Sequence, residues 1–195
     1  MQTQTFVFFG QVGSGKGTQV KLLMDYLKSQ DSKEIVYGGT GESFRKLISS
    51  DGFIAKAIHD AMNRGELQPD FLTNAIFANI LIDSLDDQKH LIADGYPRTL
   101  NQAENFEKMM QFFEREEVKI IYIELSEAEA TKRNLLRGRA DDTEDGLKKR
   151  FAEYKNNVIP AMNYFKDKAG YKIFTINGEQ TVENVYKDII KALGF

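Results

Sequence analysis

The segment Gly10-Gln11-Val12-Gly13-Ser14-Gly15-Lys16-Gly17-Thr18 constrains this chain more than any other. It follows the apolar run Phe6-Val7-Phe8-Phe9 and precedes Gln19-Val20-Lys21-Leu22-Leu23-Met24, whose apolar residues have helical spacing. A strand, a glycine-rich turn and a helix in that order make an anion cradle. Glycine lets the backbone turn tightly and bring its N–H groups close to a phosphate. The helix that starts near Gly15 adds the positive end of its dipole. The expected phosphate contacts are Gly13, Ser14, Gly15, Lys16, Gly17 and Thr18, with Lys16 as the point charge for the β- and γ-phosphates. The Thr18 hydroxyl can face the phosphates or a Mg²⁺ ion. The general motif puts Ser or Thr directly after the Lys, whereas here Gly17 intervenes.

A length of 195 residues suits one α/β domain with a small insert, and 42% hydrophobic residues suffice for a core. The net charge of -3 argues against nucleic acid or an anionic membrane as a partner. Phosphate binding must therefore come from a local cluster of positive groups. Cysteine is absent, which excludes disulfides, a thiolate nucleophile and a Cys-ligated zinc, so no structural zinc is expected. Residues 1–5 lack basic groups, the apolar run after them is too short for a signal peptide, and no stretch reaches membrane-span length. A cytoplasmic protein is expected.

Strand-like runs recur at Thr5–Phe9, Glu34–Tyr37, His90–Ala93, Val118–Leu125 and Lys172–Ile176. Helical patterns separate them at Gly15–Gln30, Gln102–Glu116, Glu127–Arg137, Thr143–Lys168 and Thr181–Leu193. Alternating strands and helices imply a parallel sheet covered on both faces. The stretch between the second and third strands is too long for one crossover. It divides into helices at Glu42–Ser50, Phe53–Arg64 and Asp70–Leu85, punctuated by Asp51-Gly52 and by Gly65 to Asp70. This is read as an inserted helical lobe able to move against the core.

Ligands of open parallel sheets bind outside the carboxyl ends of the strands. The first strand there meets the phosphate loop, the second Gly38 to Arg45, and the third Asp94-Gly95-Tyr96-Pro97-Arg98-Thr99. Asp94, ending an apolar strand, is suited to hold Mg²⁺ through water beside Thr18. Only eight of the 26 basic residues are Arg, and six of those are Arg45, Arg98, Arg133, Arg137, Arg139 and Arg150. Arginine is the planar, bidentate partner of phosphate. Arg133 and Arg137 share one helix face. The set suggests a cage around several phosphates. Asp141-Asp142 either caps the next helix or aligns Arg139 or Arg150. His59 and His90 are assigned to the surface, and most Phe residues to the core.

These residues resemble the adenylate kinases and the wider nucleoside monophosphate kinase family over nearly the whole chain. Gly10–Gln19 is similar to that family's G-x-P-G-x-G-K-G-T-Q loop. Thr40-Gly41-Glu42 with Arg45 resembles T-G-D-x-x-R, and Gly65 to Asp70 resembles the G-x-L-V-P-D turn. Asp94 to Thr99 with Gln102 resembles D-G-[FY]-P-R-T-x-x-Q. Arg133, Arg137, Arg139, Asp141, Asp142 and Arg150 fall where the family has its donor-side arginines and acidic pair. Asn177 to Gln180 falls where family backbone meets the donor adenine. Four departures stand out: Val12 for Pro, Glu42 for Asp, Gln68 for an apolar residue, and Arg137-Gly138-Arg139 with almost no room for a lid.

The resemblance implies an α/β P-loop three-layer sandwich with a five-stranded parallel sheet and an inserted helical NMP-binding lobe. The core would be residues 1–39 and 83–195, the lobe 40–82, and the lid a minimal turn at 137–141. It implies Mg²⁺-dependent transfer from ATP to AMP giving two ADP, by a monomer. The implied catalytic set is Lys16, Arg98, Arg133, Arg139 and Arg150. ATP would meet Gly13 to Thr18, Arg133, Arg137 and Gln180. AMP would meet Thr40, Gly41, Arg45, Glu66, Leu67, Gln68, Gly95, Arg98, Gln102, Arg139 and Arg150. A UMP/CMP kinase is the alternative within the class. A nucleotide hydrolase or switch, or a binding-only relative, is the alternative outside it.

Overall fold

Five parallel strands form one sheet: β1 (Thr5–Phe9), β2 (Ile35–Gly39), β3 (His90–Asp94), β4 (Val118–Glu124) and β5 (Tyr171–Asn177). Their order is β2-β3-β1-β4-β5. The structure, a computed structural model, describes residues 2–49, 52–138 and 143–195. Arg139, Asp141 and Asp142 therefore lie outside the described residues, as does most of the expected lid turn. The helices are α1 (Lys16–Gln30), α2 (Thr40–Ile48), α3 (Phe53–Asn63), α4 (Asp70–Ser84), α5 (Leu100–Phe112), α6 (Glu127–Arg137), α7 (Glu144–Glu153), α8 (Ile159–Asn163) and α9 (Val182–Leu193). No helix among the described residues is long and apolar enough to cross a membrane.

Alternation along the strands builds two cores, because successive side chains face opposite sides of a sheet. Val7, Phe9 and Ile120 pack with Phe77, Leu81, Phe106 and Phe165, contributed by α4, α5 and the segment after α8. Phe6, Phe8 and Ile121 pack with Val20, Leu23, Leu27, Val185 and Ile189 from α1 and α9. Each such side chain, fully buried, stabilises the fold by about 1.5–3 kcal/mol. Every residue of β1 is buried, which holds the phosphate loop that follows it on a rigid support.

Side-chain caps start several helices. Thr99, Ser126, Thr143 and Thr181 accept bonds from Gln102, Glu129, Gly146 and Asn184 backbone N–H groups at α5, α6, α7 and α9. By contrast, α1 begins at Gly15 in the left-handed region, with no side-chain cap. No side chain therefore occupies the N-terminus of α1, whose dipole favours an anion.

Three expectations are corrected. Gly38 and Gly39 belong to β2 rather than to a loop, and the next helix begins at Thr40. The helix expected over Thr143–Lys168 is interrupted by a π-helical turn at Tyr154–Val158, just before Pro160. Proline has no N–H and clashes with the carbonyl four residues back, so the ladder widens there. His90 is wholly buried at the start of β3 rather than on the surface. Its Nδ1 accepts the Gln4 N–H at 3.0 Å and its Nε2 meets Asp31 Oδ1 at 3.3 Å. His59, in contrast, is exposed as expected.

Candidate active site

The phosphate loop, the carboxyl ends of β2 and β3, and helices α6 and α7 come together in one region. Gly13 and Gly15 have φ of 85° and 84°, a region that favours glycine. A Cβ on Gly13 would lie 2.5 Å from Asn134 Nδ2, so the loop rests directly on α6. Asn134 itself is fully buried, and its Nδ2 donates to the Ala130 carbonyl at 2.6 Å. Val12 packs on Leu125, Ala130, Leu147 and Phe151, a small core shared by α6 and α7. The residue that replaces the family's Pro thus staples the loop to the two arginine-bearing helices. Gln11 Nε2 adds a buried bond of 2.6 Å to the Leu125 carbonyl.

Lys16 curls back over this loop. Its Nζ donates to the Gly10 carbonyl and, at 3.3 Å, to the Gln11 carbonyl. Burial pushes its pKa down to about 8; Asp94 opposes the shift, while Arg98 and Arg137 reinforce it. Burial also lowers the pKa of Arg98, again opposed by Asp94 and reinforced by Arg150 and Arg45. Arginine keeps its charge under such shifts. Lys16, Arg45, Arg98, Arg137 and Arg150 therefore converge, through Lys16 and Arg98, on the surroundings of the Asp94 carboxylate. So many cations in one cleft repel one another, and a polyphosphate is the ligand that relieves them.

The β3 mouth is tied together by hydrogen bonds. Thr40 Oγ1 donates to the Gly95 carbonyl at 2.8 Å, and Arg98 Nε donates to the same carbonyl at 2.9 Å. Gly95 has φ of 78°, and a Cβ there would sit 2.9 Å from Arg98 Nη2 and 3.1 Å from Thr40 Oγ1. Gln102, buried, accepts from the Arg98 N–H at 2.8 Å and donates to Asp70 Oδ1 at 2.8 Å. Thr99 Oγ1 donates to the same Asp70 oxygen at 2.8 Å. Asp70, read in the sequence as the end of a turn and the start of a helix but not as a site residue, joins the start of α4 to the Arg98 segment.

The remaining expected residues are distributed as follows. Gly17 and Thr18 are exposed in the first turn of α1, and Ser14 is buried beneath the loop. Gly41 lies in the first turn of α2, where a Cβ would be 3.5 Å from Arg45 Nη1. Glu66, Leu67 and Gln68 lie in the turn between α3 and α4. Glu66 takes a two-pronged bond from Arg64, 2.9 Å on each arm, and Gln68 Nε2 donates to the Ile58 carbonyl at 3.3 Å. Gly65, before them, approaches α7: a Cβ there would be 3.5 Å from Lys149 Cβ and 3.7 Å from Arg150 Cγ. Arg133 pairs with Glu129 at 2.8 Å, and its charge also lowers the Glu179 pKa, behind the Ser126 hydrogen bonds that dominate that shift. Gln180 Nε2 donates to Asp188 at 2.7 Å and to the Asn177 carbonyl at 3.2 Å.

Sequence reasoning missed Tyr37. Its hydroxyl donates to Asp94 Oδ2 at 3.1 Å. Burial first, then the Asp94 charge, holds the phenol's pKa well above its ordinary value, so the donor proton stays in place. The two glycines after it in β2 were the available signal, since glycine inside a strand marks a close approach.

The donor chemistry here fits a magnesium ion. Mg²⁺ keeps several waters and takes one or two carboxylates plus phosphate oxygens. Asp94 supplies a carboxylate, Thr18 a hydroxyl, and the described residues hold no cluster of three or more His, Cys, Asp or Glu.

A family profile described as adenylate kinase matches residues 8–170. An adenylate kinase of Thermosipho africanus is 31% identical, over 96% of this chain and 98% of its own length. One of Prochlorococcus marinus is 34% identical, over 94% of each chain. One of Bacteroides fragilis is 34% identical, over 96% of each.

Proposed function

The chain belongs to the adenylate kinase family, and on that premise we propose the chemistry each part of its cleft performs. The reaction is ATP + AMP ⇌ 2 ADP. An oxygen of the AMP phosphate attacks the γ-phosphorus, the bond to the β,γ-bridging oxygen breaks, and ADP is left on both sides. The attacking oxygen is already ionised, so no general base is required. Such a transfer needs positioning and charge neutralisation above all. The observation that carries this reading is the convergence of Lys16 and Arg98, with Arg45, Arg137 and Arg150, around the Asp94 carboxylate.

The uncapped α1 terminus and Gly13 to Thr18 hold the ATP phosphates. Lys16 leaves its carbonyl partners to follow the β- and γ-phosphates, whose charge keeps it protonated. Arg45 and Arg98 hold the AMP phosphate in line. Arg137 and Arg150 face the transferring group from α6 and α7. Arg139 would join them from outside the described residues. Arg133, close to Glu179, stacks on the donor adenine, and Gln180 with the backbone beside it borders that base. Asp94 and Thr18 would hold the nucleotide's Mg²⁺ through water. The ion supplies charge neutralisation on the β- and γ-phosphates when bound. Thr40 and Gln102 border the acceptor adenine, with Gly41, Glu66, Leu67, Gln68 and Gly95 around it.

We assign residues 40–82 to an acceptor lobe and residues 1–39 and 83–195 to the core. The core fixes the lobe's second edge, because Phe77 and Leu81 of α4 are already buried in the main core. Both subsites come from one chain, so a monomer suffices. The protein would act on free nucleotides in the cytoplasm, without a nucleic-acid or membrane partner. Mixing the enzyme and Mg²⁺-ATP with each monophosphate in turn, and following diphosphates, tests the reading. AMP should exceed CMP and UMP clearly in kcat/KM, because polar groups left unpaired by the wrong base discriminate strongly. Preferred use of a pyrimidine monophosphate would overturn the acceptor. Release of inorganic phosphate alone would overturn the transferase.

A further inference from the structure

We propose that Tyr37 is a positioning residue for Asp94, orienting its carboxylate toward the nucleotide-bound cation. The inference rests on the reading of Asp94 as the metal carboxylate. Tyr37 and Gly39 are two apart in β2, so they share one face of the sheet. Gly39 lies opposite Asp94 in the β2–β3 register, and Tyr37 opposite Ile92. A Cβ on Gly39 would lie 2.4 Å from Tyr37 Cε1 and 2.8 Å from its hydroxyl oxygen. The ring thus leans along the strand over the Gly39 backbone and fills the space a side chain would need. From there its hydroxyl reaches Asp94 Oδ2 at 3.1 Å.

The opposite face of the same strand end is built in a similar way. A Cβ on Gly38 would lie 2.4 Å from Phe77 Cε2, and the Phe77 ring stacks on Tyr96 with centroids 4.2 Å apart. The glycine pair is therefore held between two aromatic rings. Strand glycines ordinarily weaken a strand. Here they bring the Tyr37 hydroxyl to the mouth of β3 and hold it there. An exposed carboxylate rotates and can offer either oxygen. The tyrosine bond fixes Oδ2 within the protein and leaves the other oxygen for the cation's water shell. Outer groups of this type commonly change metal affinity or activity by 10–100-fold when removed. Tyr37 touches neither nucleotide phosphate nor metal in this account; it acts through Asp94.

The test uses Tyr37→Phe, which keeps the ring and removes the hydroxyl, beside Gly39→Ala, which displaces the ring, and Asp94→Asn. Mn²⁺ binding to the enzyme complexed with a bisubstrate analogue of two phosphate-linked adenosines is measured by electron paramagnetic resonance. Analogue affinity without a divalent cation and the thermal midpoint are measured in parallel. The expected result for Tyr37→Phe is a loss of about tenfold in Mn²⁺ affinity. Its cation-free analogue affinity should stay unchanged. Gly39→Ala should lose at least as much, and Asp94→Asn more. Parent-like Mn²⁺ affinity in Tyr37→Phe, with a loss in Asp94→Asn, would overturn the tyrosine's role alone. An equal loss of cation-free analogue binding would overturn it as well, by making Tyr37 a purely structural residue. Parent-like Mn²⁺ affinity in Asp94→Asn would overturn the metal reading of that carboxylate, and the inference with it.

Discussion

The phosphate loop and the α2–α3 part of the acceptor lobe are held by different forces, while α4, the lobe's other edge, is buried in the main core through Phe77 and Leu81. The loop follows a wholly buried strand, rests on Asn134 through Gly13, and is stapled by Val12 to Leu125, Ala130, Leu147 and Phe151. The acceptor lobe has α3 with Phe53 85% exposed and α4 with Phe71 74% exposed near its start. It is joined to the β3 mouth by polar bonds, from Thr40 to Gly95 and from Thr99 and Gln102 to Asp70. Its far turn approaches α7 at Gly65, beside Lys149 and Arg150, and the Lys149 charge also acts on Glu66. Apolar packing lets few atoms shift without loss, whereas a hinge of side-chain hydrogen bonds, each worth roughly 0.5–1.5 kcal/mol net, opens at small cost. On the proposed reading, the donor side is prebuilt and the acceptor side is the part that closes. A long hinged lid is not needed when the arginine-bearing helices are already fixed to the loop.

The largest effect expected from breaking either side is catalytic. Lys16→Met and Arg98→Ala each remove a fixed charge that acts on the transferring group. Each should cost roughly 2.7–4 kcal/mol of transition-state stabilisation. The contrast lies in ground-state binding, where Lys16→Met should weaken ATP and Arg98→Ala should weaken AMP. Steady-state kinetics with each nucleotide varied checks this. Near-parent turnover in either variant would contradict the assignment.

A smaller effect separates the two sides by pH. Burial lowers the Lys16 pKa from 10.5 to about 8. Above that value the free enzyme presents a neutral amine to ATP. Its kcat/KM for ATP should then fall about tenfold per pH unit, while kcat stays level further, because bound phosphates favour the ammonium. Arg98 keeps its charge, so kcat/KM for AMP should lack this inflection. The stability sign is opposite. Between about pH 8 and 10.5 the unfolded chain binds the Lys16 proton more tightly, so this group's contribution to stability rises with pH through that window. Lys16→Met should lack that rise in urea unfolding measured across the window.

Much of this was legible in the sequence where the signal is local. β1 and α6 end where periodicity puts them, since a continuous apolar run and a capped, glycine-ended helix define their own limits. The five-strand parallel sheet followed from alternation alone. Local signals failed where a distant ring decides the outcome. Gly38-Gly39 read as a loop, yet Phe77 and Tyr37 occupy the space that their missing side chains leave in a strand. His90 read as surface among charged neighbours, yet Gln4 and Asp31 satisfy its two nitrogens inside the protein. In the site, the arginine types and spacing singled out Arg45, Arg98, Arg137 and Arg150, among which the charges of Arg45 and Arg150 act on Arg98 and those of Arg98 and Arg137 on Lys16. The Asp70 hub and the Tyr37–Asp94 bond span 32 and 57 residues of sequence, and no local pattern encodes them.

The contrast between a prebuilt donor side and a closing acceptor lobe is tested most directly by two distances. The chain has no cysteine, so label pairs can be introduced cleanly. Lys56→Cys with Lys187→Cys links exposed sites on α3 and α9, and Lys132→Cys with Lys187→Cys links α6 and α9. Double electron–electron resonance records both distributions, first for the free enzyme and then with the bisubstrate analogue. A shifted and narrowed α3–α9 distribution and an unchanged α6–α9 distribution are expected. A large change between α6 and α9 with a static α3 would contradict that contrast and put the hinge at the end of α6.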